Sequence, residues 1–188
     1  MVSFTATVVC CVNRRAMRCT IIKTKQESEN LDERKEIVRI KENQAAPDFS
    51  LPNQHNQIVS LSGFKGKQHV VLYFYPKDDT PGCTIEANQF TALASAFAAQ
   101  DAVVIGVSKD SCASHQAFID KYGLKLDLLA DTTGELCERY GVWQEKEKNG
   151  EKKMGIVRST FLIDKAGILQ EALYGVSAYR RYERRALE

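Results

Sequence analysis

From Ile37 onward the hydrophobic residues of this chain fall into two alternating rhythms. Unbroken runs of β-branched and aromatic residues, Val70 to Tyr75 (VVLYFY) and Ala102 to Val107 (AVVIGV), predict strands buried on both faces. Between them Ala87, Phe90, Ala94 and Phe97 recur at steps of three and four, which predicts a helix over 81–98. Ahead of the first run, APDFSLPNQHNQIVSL gives two short strand-like pieces around a polar turn, a hairpin. Beyond the second run, Asp110 or Ser111 stands ready to cap a helix with Phe118, Ile119 and Tyr122 on its inner stripe. Leu126 to Leu129 then predicts a short strand and Thr133 to Tyr140 a short helix, with Tyr140 and Trp143 packed in the core. Ile156 to Ile163 and Ile168 to Tyr174 predict two last strands around the turn Asp164-Lys165-Ala166-Gly167.

Crossover helices first and a hairpin at the end define an α/β fold. The order fits a thioredoxin-like mixed sheet flanked by helices, in a single domain over residues 37–188. Residues 1–36 differ in character and read as an extension that is disordered or serves targeting. No acidic residue precedes Glu27, whereas Arg14, Arg15, Arg18, Lys23 and Lys25 do. That composition is compatible with an organelle transit peptide; the alternatives are a disordered tail or an upstream start not used in the cell. The location expected is cytoplasmic, or plastid if the extension is a transit peptide.

A formal net charge of +2 gives no ground for nucleic acid or membrane as an obligatory partner. Cys10, Cys11, Cys19, Cys83, Cys112 and Cys137 show neither a regular spacing nor a Cys-x-x-Cys pair. Free thiols in a reducing compartment are therefore expected, with no structural zinc or other metal and no cofactor.

One cysteine has a distinctive setting, YFYPKDDTPGCTIEANQF, Tyr73 to Phe90. Pro76 ends the strand because it has no N–H to give the ladder. Lys77, Asp78 and Asp79 are expected to make a solvated bend. Thr80 then reads as an N-cap, Pro81 takes the first helical position, and Gly82 removes bulk before Cys83 in the first turn. Unpaired amides and the positive end of a helix favour thiolate over thiol at such an address. Cys83 also begins the stripe Cys83, Ala87, Phe90, Ala94, Phe97, and periodicity alone does not separate a reactive thiol from a packed one. The Thr-Pro-Gly lead-in favours the reactive reading.

Pro76, Thr80 and Cys83 form a Pro-x-x-x-Thr-x-x-Cys pattern that resembles the active-site signature of peroxiredoxins. The fuller string YFYPKDDTPGCTIEA, together with APDFSLP, GVSKDS, YGVW and MGIVRSTFLID, is similar to the bacterioferritin-comigratory, or Q-type, subgroup. The resemblance runs from about Val38 to Ser177. It implies a thioredoxin-like fold and reduction of hydrogen peroxide and organic hydroperoxides, in antioxidant defence. Cys83 would be the nucleophile that becomes a sulfenic acid. Thr80 would offer its hydroxyl, Pro76 would shield the site, and Arg158 would bring positive charge from another strand. Glu86 reads as a first-turn acid that balances the helix dipole. The partner implied is a thioredoxin- or glutaredoxin-type reductant, and the chain is expected to be a monomer. A peroxide-sensing switch with slow turnover is the alternative.

Many Q-type relatives carry a resolving cysteine five residues after the first, where this chain has Asn88; others carry it at the position of Ile119. Chemistry with one cysteine and an external thiol is therefore ranked first and Cys112 as resolver second, while Cys137 reads as packing. Relatives usually end in a Gly-His-Ala segment and an apolar helix, unlike SAYRRYERRALE here. Tyr179, Tyr182 and Ala186 keep helical spacing, and Arg180, Arg181, Arg184 and Arg185 read as a charged helix face.

Overall fold

The apolar run after His69 becomes the middle of a sheet because every position on it has somewhere dry to go. In the computed structural model, which describes residues 39–148 and 150–178, β3 (His69–Phe74) pairs with β4 (Ala102–Ser108) in parallel and with β8 (Ser159–Ile163) antiparallel. β5 (Asp127–Ala130) and β9 (Leu169–Tyr174) complete a five-stranded order β5-β4-β3-β8-β9. β1 (Ser50–Pro52) and β2 (Ile58–Ser60) form the small antiparallel hairpin expected before it. This is the thioredoxin-like mixed sheet that the sequence order predicts. The expectations for residues 1–36 and for the tail from Tyr179 lie outside the described residues.

Alternation along β3 sorts the core into two layers. Val70, Leu72 and Phe74 face a cluster with Phe49, Leu136, Tyr140, Val142 and Phe161. Val71, Tyr73 and the following Tyr75 face the other side, against α1 (Pro81–Ala98) and α2 (Cys112–Tyr122) through Cys83, Ala87, Phe90 and Phe118. Ser111 caps α2, accepting from the Ser114 amide at 3.3 Å, and His115 joins Phe118 as its fully buried residue. α3 (Glu135–Arg139) is shorter than the span predicted from Thr133 to Tyr140. Gly106 is required where it stands: a Cβ there would lie 2.7 Å from the Tyr73 ring and 2.6 Å from Leu128. No described helix is long and apolar enough to cross a membrane.

Two departures from the sequence reading matter for the site. Ile156 to Ile163 is two strands, β7 (Glu151–Ile156) and β8, with Val157 and Arg158 between them. The break has a backbone cause: the Val157 amide donates to Val142 O at 2.8 Å, and the Arg158 carbonyl accepts from Val176 at 2.9 Å, so neither residue joins either ladder. β7 also pairs antiparallel with β6 (Trp143–Lys148), a charged hairpin that the hydrophobic pattern does not announce.

Candidate active site

The chain leaves β3 through Tyr75, whose amide still bonds Val107 O at 3.1 Å, and turns at Pro76 on the surface. Asp79 adopts a left-handed conformation (φ 52) that reverses the chain, and Thr80 is extended at the N-cap position of α1. Pro81 opens the helix, so Cys83 occupies its third position. The first helical bond is Thr84 N to Thr80 O at 2.9 Å. Thr80 gives no side-chain cap: its hydroxyl donates to Lys77 O at 3.1 Å. The amides of Gly82 and Cys83 thus get no partner from that hydroxyl, and its proton is turned to the Lys77 carbonyl.

The Cys83 side chain is only 2% exposed and packs among Tyr73, Ala87 and Phe90. Its sulfur accepts from Arg158 Nη2 at 3.2 Å. Arg158 Nη1 donates to Glu86 Oε2, and Glu86 is 0% exposed. Glu86 is the sixth residue of α1, not a first-turn residue, and lies one turn beyond Cys83 on the same face. One planar guanidinium can therefore reach both, which is the geometry that distinguishes Arg from Lys. Burial works against the Arg158 charge, but the Glu86 carboxylate and the Cys83 sulfur outweigh it and raise the guanidinium's pKa. Arg158 stays a cation throughout.

Gly82 lies directly beside this contact. A Cβ at that position would stand 3.5 Å from Arg158 Nη2 and 3.2 Å from Ala178 Cβ. Gly82→Val is expected to push the guanidinium off the sulfur and slow reaction of the Cys83 thiol with an added electrophile about tenfold or more, since ~1 Å misplacements cost up to ~10²-fold. Stopped-flow kinetics beside a melting curve checks this.

A second cation approaches from the charged hairpin. Lys146 donates to Ile156 O, two residues before Arg158. Burial and the neighbouring Arg158 charge lower its pKa, partly offset by Cys83. Sequence reasoning missed Lys146 and read Glu86 only as a dipole-balancing acid, not as the partner of Arg158. The three-residue step from Cys83 could have found Glu86; nothing in the run QEKEKNGEKK singles out Lys146.

The bend before Thr80 is solvated at Lys77 and Asp79 as expected, but not at Asp78. Asp78 is 6% exposed and accepts from Tyr75 Oη at 2.7 Å, Ser114 Oγ at 2.6 Å and His115 Nδ1 at 2.9 Å. Asp79 accepts from Lys121 at 2.6 Å and from Tyr122 Oη at 2.6 Å. Both acids bond side chains of α2, and at buried Asp78 these partners replace the hydration it gives up. Burial of Asp78 opposes its charge, yet hydrogen bonds from His115, Ser114 and Tyr75, with the His115 charge, hold the carboxyl below its usual range. Its contribution to stability is therefore complete above the unfolded value near ~3.9 and lost as pH falls through the lower folded one. Asp78→Asn is expected to flatten the fall in Tm below about pH 4, as read by calorimetry.

The remaining cysteines separate cleanly. Cys83, Cys112 and Cys137 are free thiols. Cys112 is the first residue of α2 and half-buried. Cys137 is fully buried, its amide held by Asp131 Oδ2 at 2.8 Å, and burial pushes its thiol far above the ordinary range, as packing requires.

The model of the AhpC/TSA family matches residues 43–172. Peroxiredoxin Bcp of Bacillus subtilis is 52% identical over 126 residues, 67% of this chain and 80% of the relative. A putative peroxiredoxin bcp of Coxiella burnetii is 49% identical over 126 residues, 67% of this chain and 83% of its own. Among solved structures, a mutant of PrxQ from Xylella fastidiosa superposes with a TM-score of 0.71 at 34% identity, covering 75% of this chain and 89% of that one. With a thiol at the mouth of α1, a guanidinium on its sulfur and these relatives, the chain belongs to the AhpC/TSA family as a peroxiredoxin of the Bcp, or Q, type.

Proposed function

We propose that this protein is a thiol peroxidase that reduces hydrogen peroxide and organic hydroperoxides through a sulfenic acid at Cys83. The observation that carries the reading is the 3.2 Å contact of Arg158 Nη2 with the Cys83 sulfur in the first turn of α1. A guanidinium there stabilises the thiolate before reaction and the oxygen anion that leaves during it. The thiolate attacks the terminal oxygen of ROOH: the S–O bond forms, the O–O bond breaks, and RO⁻ departs to take a proton from solvent. Sulfur is oxidised by two electrons and the peroxide reduced by two. Arg158 keeps its protons and acts by charge alone. Thr80 turns its hydroxyl from Lys77 to the incoming oxygen, and Pro76 limits access from the surface side.

The sulfenic acid is returned by an external thiol. That thiol displaces water to give a mixed disulfide at Cys83, and a second thiol of the reductant releases it. A thioredoxin- or glutaredoxin-type protein fits this role, since it supplies two thiols in one molecule. We place the enzyme in the cytoplasm, as a monomer. Cys112 ranks second as resolver, being one of the described free thiols and half-buried rather than sealed in the core.

Mass spectrometry after one equivalent of peroxide tests this scheme together with turnover in coupled thioredoxin and glutaredoxin assays. Cys83 sulfenic acid followed by sustained turnover with an external dithiol is the expected result. A Cys83–Cys112 disulfide would replace the external thiol as resolver, and an unmodified Cys83 would overturn the proposal.

A further inference from the structure

The sulfur and the guanidinium that meet at the site are held by separate parts of the fold. Arg158 hangs between β7 and β8, fixed by backbone bonds around Val142 and Val176. Cys83 is placed by the loop that starts α1, and that loop is fastened to α2. Asp78 makes four bonds at the loop's middle, two of them to α2: Ser114 Oγ and His115 Nδ1 reach Asp78 Oδ2, while Tyr75 Oη reaches Oδ1 and the Asp78 amide donates to Asp110 Oδ2 at 2.8 Å. Asp110 is itself held by Ser108 Oγ at 2.8 Å at the end of β4.

His115 stands out within this set. It is 0% exposed, and its Nε2 has no hydrogen-bond partner among the described residues. A ring buried only to fill space would be better served by an apolar side chain, because the unpaired nitrogen carries a desolvation penalty. The nitrogen that is used points at Asp78, two residues before Thr80 and five before Cys83. An ionised carboxylate only accepts, so Nδ1 carries the proton in that bond.

We infer that His115 is a positioning residue that acts through Asp78 to set where α1 begins, and so holds Thr80 and Cys83 in register with Arg158. The inference rests on the peroxidase reading of Cys83 for its meaning, but not for its measurement. With the latch loosened, the first turn of α1 drifts relative to a guanidinium anchored one turn further along, at Glu86, and by its own backbone between β7 and β8. Such small misplacements lower rates by one to two orders of magnitude, on the order of 10²-fold for ~1 Å.

Three variants of the full chain test it: His115→Leu, His115→Asn and Ser114→Ala. Leucine fills the space with no donor, whereas asparagine restores a donor at the Nδ1 position. The two readouts are the rate of the first peroxide turnover and the rate of Cys83 alkylation by iodoacetamide, the latter read by mass spectrometry. His115→Leu is expected to slow both about tenfold, and His115→Asn to recover both to within about threefold of the original. Alkylation reports the latch even for a chain that consumes no peroxide, so failure of the peroxidase reading and failure of this inference are distinguishable. Equal slowing in the leucine and asparagine variants, or wild-type rates in the leucine variant, would overturn the inference. Should His115→Leu not fold, Ser114→Ala carries the test: its half-buried hydroxyl is a second donor to Asp78, and unchanged alkylation and turnover there overturn it as well.

Discussion

Cys83→Ser is expected to abolish peroxide consumption while the protein still folds. A free thiol ionises near pH ~8.5 and its thiolate is the nucleophile, whereas a serine hydroxyl stays protonated at neutral pH without an adjacent base. The described hydrogen-bond partner of the Cys83 sulfur, Arg158, is a permanent cation and offers none. The expected first-turnover rate is that of buffer alone, a loss of at least ~10³-fold given the scale of covalent and electrostatic contributions. The new hydroxyl sits beside a ready donor in Arg158, so its burial costs about 1–2 kcal/mol and a few degrees in Tm. Stopped-flow peroxide loss and calorimetry on the same sample measure both. Retention of a tenth of the original rate would move the reaction to another thiol, with Cys112 the next to replace.

Arg158→Met has the next largest effect, and it strikes twice. The Glu86 carboxylate, fully buried, loses the guanidinium that neutralises it and is left near a sulfur that must become anionic. Breaking one side of a buried ion pair costs about 3–5 kcal/mol, equivalent to roughly 10 °C in Tm for a domain of this size. The first-turnover rate falls about 10²-fold from loss of the charge that stabilises thiolate and leaving oxygen. Adding Glu86→Leu separates the two effects. The double variant regains most of the lost Tm because the buried carboxylate that lost Arg158 is gone, yet it stays as slow as Arg158→Met. If the second substitution restored activity along with stability, Arg158 would be a structural partner of Glu86 and no more.

The elements that could be read in advance are those whose signal is local. α1 runs from Pro81 to Ala98 as its periodicity and its Thr-Pro-Gly entry predict, and β3 and β4 follow their apolar runs to within a residue or two. The β6–β7 hairpin escapes because most of its positions face solvent and no alternation of hydrophobicity marks them. Its one sequence signal was the Asn149-Gly150 dipeptide, a strong hairpin turn. The break at Val157–Arg158 left no local trace either, since the partners that cause it, Val142 and Val176, are distant in sequence.

The site divides in the same way. Sequence by itself determined that a cysteine would open a helix, because cap position, proline and glycine are neighbours of Cys83 and act over a few residues. Only tertiary structure decided what surrounds that sulfur. Arg158 arrives from 75 positions away, Glu86 turns inward to hold it, and Asp78 turns from solvent to His115, 37 positions along the chain. The physical reason is that a charged side chain reads as solvated unless its counter-charge is known, and counter-charges are brought together by strand pairing and helix docking rather than by spacing along the chain.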